Sequence, residues 1–416
     1  MEQFTATSPI KWTALIFKSP IFNHTIRTVW SLTMVPRFLL ALSLSLLVSS
    51  SFGERTPFQL TEKQQCRLQR ITAAQPSQRI RSEGGETELW NERDDQFQCA
   101  GVVAMRNILR PNALSLPNFH PYPRLVFIEQ GYGYISVTCP VFEMMKAFYL
   151  AGGVPKKGQQ EGGRFEEETF HNILKEFDTN LLAEAFDMPE EIVRQMQKGG
   201  EERGLSVIAQ EKMSFIRPDE QEGWGKHEER YDNGLEETYC SMKISTNVES
   251  RREADIYSRQ AGKLNVADKH KLPILKFLDM SAERGDLFPN ALLSPDWSMQ
   301  GHTIVYVTRG DAQIQISNHN GETLMNDKVN KGDMFVVPQY YVSTARAGES
   351  GFEWVAFKTT GWPIRNPLAG YTSVIRGLPL QVITNSYQIS PKQAEGLKMN
   401  RGGQSFLMSP GRERQF

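Results

Sequence analysis

Four cysteines and an Asn-Gly dipeptide are the residues of this chain whose chemistry is easiest to foresee. Cys66, Cys99, Cys139 and Cys240 could form two disulfides, ligate one metal ion, or remain separate thiols. As disulfides they allow three pairings, and spacing alone does not choose among them. Asn233-Gly234 is the commonest hairpin-turn signal, but its flank, Glu228 to Asp232, is charged and linker-like, which favours a backbone accessible to proteolysis. Familiar catalytic templates are missing: the sequence has no Gly-x-Ser-x-Gly elbow, no phosphate loop and no His-Glu-x-x-His. Gly131 and Gly133 are spaced like a fragment of a nucleotide motif, yet they fall between strand-like runs rather than before a helix, so they read as a turn.

The frame that must hold these residues is large. A chain of 416 residues has room for two or three compact units. Its 39 % hydrophobic content excludes a disordered chain. The 47 basic residues nearly cancel 48 acidic ones, so the basic excess that a nucleic-acid partner demands is absent. Compartment is read from residues 34–53, where Arg37 precedes the apolar run Phe38 to Val48 and the small-residue end Ser49 to Gly53. That is the anatomy of a secretory signal peptide. The run is about half the roughly 20 residues a membrane-spanning helix needs, so no membrane association is expected after signal cleavage. The stretch from Met1 to Thr33 is Ser/Thr-rich and weakly basic and does not belong to that plan. Met34 is read as the physiological start, with a genuine long presequence or an organelle transit peptide as the alternatives, and a residue near Glu54 as the start of the mature chain. The Asn23-His24-Thr25 sequon lies ahead of that point, so the mature chain is expected to carry no N-glycan.

An internal repeat decides the architecture. Asn112-Ala-Leu-Ser-Leu-Pro117 followed by Val126-Phe-Ile-Glu-Gln-Gly131 recurs, with a one-residue gap, as Asn290-Ala-Leu-Leu-Ser-Pro295 and Val305-Tyr-Val-Thr-Arg-Gly310. Each copy is an apolar strand reaching a glycine turn, followed by period-two alternation in Ile135-Ser-Val137 and Gln313-Ile-Gln-Ile316. Both copies later reach Leu-Ala-Gly, at Leu150 to Gly152 and Leu368 to Gly370, and then turn helical. Asp178 is placed to cap a helix through Leu181 to Phe186, and Met188-Pro-Glu-Glu starts another. In the second copy Ser390-Pro-Lys-Gln393 reads as a capping box with Pro in the first turn. Two modules follow, each a short-strand sheet with a helical arm. The stretch from Lys198 to Asn233 separates them, with strand-like runs at Leu205 to Ile208 and Met213 to Ile216 and a polar remainder.

These residues resemble the legumin-type 11S seed storage globulins, which are bicupins. The most specific stretches are Asn233-Gly-Leu-Glu-Glu-Thr-Tyr-Cys240, Ala282-Glu-Arg-Gly285, Val305 to Gly310, Gly351-Phe-Glu-Trp-Val-Ala-Phe-Lys358 and Asn366-Pro-Leu-Ala-Gly370. The resemblance runs from about Cys66 to Asn400. It implies a mainly β fold with helical arms, built as two cupin, or jelly-roll type, β-barrel modules. The expected boundaries are a presequence at 1–53, a first module at 54–152, a helical arm at 153–198, a linker at 199–233, a second module at 234–370, a second arm at 371–400 and a flexible tail at 401–416. The resemblance also implies disulfides Cys66 to Cys99 and Cys139 to Cys240, and cleavage after Asn233, before Gly234, by an asparagine-specific protease. The resulting acidic and basic parts would stay joined by Cys139 to Cys240. Transport to a protein storage vacuole and self-assembly into trimers and hexamers complete the implied reading, that of a nutrient reservoir without catalytic residues or cofactor.

Two observations bear on the alternatives. Cupin enzymes hold a metal through a His-x-His pair, a Glu and a further His, and this chain has no His-x-His. In the second module the window reads Asp296-Trp-Ser298 and Ser343 stands where a ligand His is expected; in the first, His120 stands beside Asn118. No metal site is expected, and a metal-dependent enzyme or small-ligand binder is the rival reading. The two copies also differ in length: Gly310 to Leu368 spans 58 residues and Gly131 to Leu150 only 19. About 39 residues are missing between Glu143 and Phe148 by that difference. They match the part of the second module that carries Gly332 to Pro338 and Gly351 to Phe357, so the first barrel is expected to be truncated. That makes a normal trimer doubtful and keeps a defective or splice-variant family member among the alternatives.

Overall fold

The computed structural model of the chain describes residues 10–17, 68–91, 93–116, 123–131, 133, 172, 174–198, 203–209, 243–250 and 252–411. In the first module β1 (Ile10–Phe17), β2 (Gln78–Ser82), β3 (Gly85–Leu89), β4 (Val102–Leu109) and β6 (Arg124–Gln130) form one sheet in the order β2-β3-β4-β1-β6. A short strand β5 (Ala113–Ser115) pairs with β7 (Ser206–Ile208), which lies within the stretch read as linker. The helix α1 (Asp95–Ala100) connects β3 to β4. Asp94 caps it, accepting from the Gln96 N–H at 3.1 Å, and Gly101 closes it in the left-handed region.

The second module is a ten-stranded sheet curled on itself. Its strands are β8 (Ile256–Ser258), β9 (Gly262–Ala267), β10 (Ser281–Leu287), β11 (Leu292–Ser298), β12 (Thr303–Ser317), β13 (Thr323–Asn330), β14 (Met334–Val337), β15 (Val342–Lys358), β16 (Arg365–Pro367) and β17 (Leu407–Met408). The main path runs β13-β12-β15-β10-β9-β8, and β11 joins β15 to β16 and β17. Two expectations are corrected here. The glycine turn at Gly310 does not end a strand: β12 runs through it, with register shifts against β15 on either side. A positive φ of 71° and a Gly351 carbonyl 2.0 Å from any added Cβ leave glycine as the residue that fits this bulge. The segment after 400 is no free tail either, because Leu407 and Met408 pair with Leu293 and Leu292 and are buried.

Alternation sends one face of the second sheet into the barrel and the other outward. Leu264, Leu287, Val305, Ile314, Phe352, Trp354 and Ala356 pack inside. Ile304, Tyr306, Met334, Val336, Val355 and Phe357 face the other way and close a second core with Trp90, Phe97, Ala100, Val102 and Ala104 of the first module. Full burial of such side chains stabilises by roughly 1.5–3 kcal/mol each, so this shared core binds the modules strongly. The stretch before β2 contributes as well: Ile71 is fully buried in the second barrel's core, and Ala74 bridges to Met334.

The helical arms form where their caps dictate. Asp178 accepts from the Leu181 N–H at 3.0 Å to start α2 (Thr179–Phe186), and α3 (Glu190–Lys198) follows. A one-turn helix α4 (Leu275–Leu278) precedes β10. The second arm comprises α5 (Val374–Gly377), α6 (Leu380–Tyr387) and α7 (Pro391–Met399), the last with both halves of the Ser390–Gln393 capping box present.

Candidate functional site

The interior of the second barrel is the place where a cupin enzyme would do chemistry, and four buried charges occupy it. Arg365 on β16 donates through Nε to Asp296 Oδ1 at 2.9 Å and makes a second, short bond to the other oxygen of the same carboxylate. Its Nη1 donates to Glu283 Oε1 at 2.8 Å. Lys358, itself buried, lies 3.5 Å from Glu283 Oε2 and 3.4 Å from Thr303 Oγ1. Two cations and two anions cancel, which is the condition under which charge survives in a low-dielectric interior.

The protonation behaviour follows from the same contacts. Burial opposes ionisation of Glu283, but Arg365 and Lys358 together hold its carboxyl below the usual range. Burial pushes the Asp296 carboxyl up, against the pull of Arg365. It also pulls the Lys358 ammonium down, while the two carboxylates raise the already high value of Arg365. Asp296 and Ser343 are direct register partners between β11 and β15, so the two positions singled out in the sequence are neighbours. What meets Asp296 there is a guanidinium in bidentate geometry, a fixed cation that leaves no open coordination position. Among the described residues no three His, Cys, Asp or Glu side chains converge on a point that could hold a metal ion. A cavity of about 250 Å³ opens beside the cluster, lined by Ile256, Leu264, Val266 and Phe406 with Glu283 and Arg365.

Of the cysteines, Cys99 lies in α1 and is disulfide-bonded. Cys66, Cys139, Cys240, the Asn233-Gly234 processing site and His120 lie outside the described residues.

Sequence reading missed the seam between the modules. Arg106 of β4 donates to the Tyr306 hydroxyl at 2.6 Å and to the Glu88 carboxylate, and the same hydroxyl donates to Glu129 at 3.0 Å. Trp90 packs edge-on against Tyr306 with ring centroids 6.0 Å apart, and its indole N–H donates to the Ala74 carbonyl at 2.8 Å. Gln96 ties both sides, donating to Thr72 O at 3.0 Å and accepting from the Val336 N–H at 3.0 Å. Nothing in local pattern marks these residues, because each is paired across more than fifteen positions of sequence. His302 was missed too. Burial holds its imidazole down at about 4, and its Nδ1 accepts from the Gln339 N–H at 3.2 Å, so it works as a neutral structural group.

A curled sheet with a filled interior, together with a second sheet that repeats part of its strand pairing, defines a two-module cupin protein. The cupin family profile matches residues 71–159 and 247–395. The 11S globulin seed storage protein 2 of Sesamum indicum is 56 % identical over 456 aligned positions, covering 91 % of this chain and 99 % of that protein. This alignment is longer than the 416-residue chain itself, so it carries gaps on this chain's side. The crystal structure of the coconut allergen cocosin superposes with a TM-score of 0.67 at 29 % identity, covering 83 % of this chain and all of that one. The 11S globulin from Wrightia tinctoria, whose structure reveals an auxin binding site, gives 0.67 at 26 % identity, covering 83 % of this chain and 96 % of that one. The chain belongs to the 11S seed storage globulin family of cupin proteins.

Proposed function

We propose that the protein is a nutrient reservoir of the seed, made as a secretory precursor through the signal at residues 34–53 and stored in the protein storage vacuole. Cleavage after Asn233 by an asparagine-specific protease yields an acidic and a basic part, joined by Cys139 to Cys240, while Cys66 pairs with Cys99. The protein self-associates, as storage at high density requires. The observation that carries this reading is the full-length likeness to the sesame storage globulin. The barrel interior supports it, since the charges that could serve catalysis neutralise one another around Arg365.

A gel of protein extracted from seed tests the maturation. One band without reductant that splits into two with it is expected; two bands in both lanes removes the Cys139 to Cys240 bridge. Elemental analysis of the same material tests the function: a stoichiometric transition metal overturns the storage reading in favour of a metal-dependent cupin. A second reading, small-ligand binding, is favoured by the cavity beside Glu283 and Arg365 and by the auxin site of the Wrightia tinctoria globulin. Calorimetric titration with indole-3-acetate checks it, and the absence of saturable heat rejects it.

A further inference from the structure

The strand order of the two sheets shows what stands in for the missing part of the first barrel. In the second module β15 lies between β10 and β12; in the first, β1 lies between β4 and β6. The repeat places Leu109 on Leu287, each three residues before an Asn-Ala-Leu, and Val126 on Val305, each five residues before a glycine. Backbone conformation agrees with that alignment. Asn112 and Asn290 have φ of 59° and 60°, and Gly131 and Gly310 have 87° and 71°.

The registers then give two independent readings of β1. On one side Leu109 pairs with Ile10, where Leu287 pairs with Phe352. On the other, Val126 pairs with Ala14, where Val305 pairs with Ala356. Both neighbours give one equivalence. Ile10-Lys-Trp-Thr-Ala-Leu-Ile16 stands on Phe352-Glu-Trp-Val-Ala-Phe-Lys358, with Trp12 on Trp354 and Ala14 on Ala356. A β-strand is defined by its register, because a one-residue slip exchanges its two faces. A segment paired on both edges in the register of the absent strand, with Trp and Ala at the matching positions, is therefore more than an edge filler.

We propose that Ile10–Phe17 is the donor strand of the first barrel: it occupies the slot between Val102–Leu109 and Arg124–Gln130 left by the missing counterpart of Phe352–Lys358. It protects two strand edges that would otherwise invite pairing with other chains. Residues 10–17 precede the leader expected to leave at about Gly53, so the proposal is made of the precursor that still carries them.

Hydrogen exchange on the full chain and on its Ala14→Pro variant provides the test. Proline removes a ladder donor and is not tolerated in a central strand. Protection of Val102–Leu109 and Arg124–Gln130 is expected to fall at least tenfold, while Ser281–Leu287 and Thr303–Gly310, the β15 partners in the second barrel, keep theirs. Unchanged protection in the first pair overturns the proposal. Where the variant fails to fold, the full chain with Ala14→Cys and Val126→Cys reads register directly by mapping of disulfide-linked peptides. Directly opposed Cα atoms lie within bridging distance and those two positions further along do not. A link at 14–126 and none with Ala14→Cys and Ile128→Cys supports the register; the reverse, or no link in either, overturns it. A seed-extracted chain that starts at Glu54 and still protects Val102–Leu109 also overturns it.

Discussion

The two modules descend from one repeat but keep their structures by different means. The second closes its sheet with its own strands, and its interior is a continuous apolar core from Ala261 to Leu407 with neutralised charges at one end. Among the described residues the first has five strands in its main sheet, one of them brought from the far amino terminus, and its own core is the small group around Leu89 and Met105. Most of its large apolar side chains, Trp90 and Phe97 among them, are buried against the second module instead. The contrast teaches that a barrel which loses strands persists by leaning on a complete neighbour. Burial of apolar area does not depend on which chain segment supplies the covering surface.

The sharpest way to break the comparison is to unbalance the charges of each module in turn. Arg365→Met leaves Asp296 and Glu283 buried without their shared cation, and a loss of about 3–5 kcal/mol is expected. Arg106→Met in the seam is expected to lose less, roughly 1–3 kcal/mol, because it removes hydrogen bonds to Tyr306 and Glu88 at the edge of a shared core. Urea midpoints of the two variants, with unchanged slopes, check the order. Equal losses would mean that the first module is as self-sufficient as the second.

A smaller effect separates the modules by pH. His302 belongs to the second module and is held neutral, with its value down at about 4 from an ordinary 6.5. The unfolded chain binds the proton first, so this contribution is present above pH 6.5 and is lost as pH falls from there towards 4, to the extent of about 3 kcal/mol. His302→Gln is expected to flatten the fall in thermal midpoint across that window. A variant with the parent's full pH dependence would assign the effect to other groups.

Smallest are the arm caps. Asp178→Ala and Ser390→Ala each remove a side-chain acceptor from a helix start, and about 1 kcal/mol is expected for each. The Ser390 change should cost slightly more, since the Ser390 hydroxyl also donates to the Gln393 side chain. Helical content after mild heating, followed by circular dichroism, distinguishes the two.

Local rules made part of this protein legible. The repeat, the strands around Val305 and Val126, the Asp178 and Ser390 caps and the shortfall after Gly131 all follow from patterns within a few residues, because backbone geometry and capping are short-range. The windows at Asp296 and Ser343 were found as places where metal ligands are lacking, by the same kind of reading. The sequence by itself determined the class of fold, the family and the absence of a His-x-His motif. Only the tertiary structure decided that Arg365 bridges Asp296 and Glu283, that Leu407 and Met408 join the barrel, that Tyr306 binds the modules through Arg106 and Glu129, and that Ile10–Phe17 lies between Val102–Leu109 and Arg124–Gln130. Each of these joins residues many positions apart, and the energy that selects them comes from excluding water between surfaces that meet only once the chain has folded.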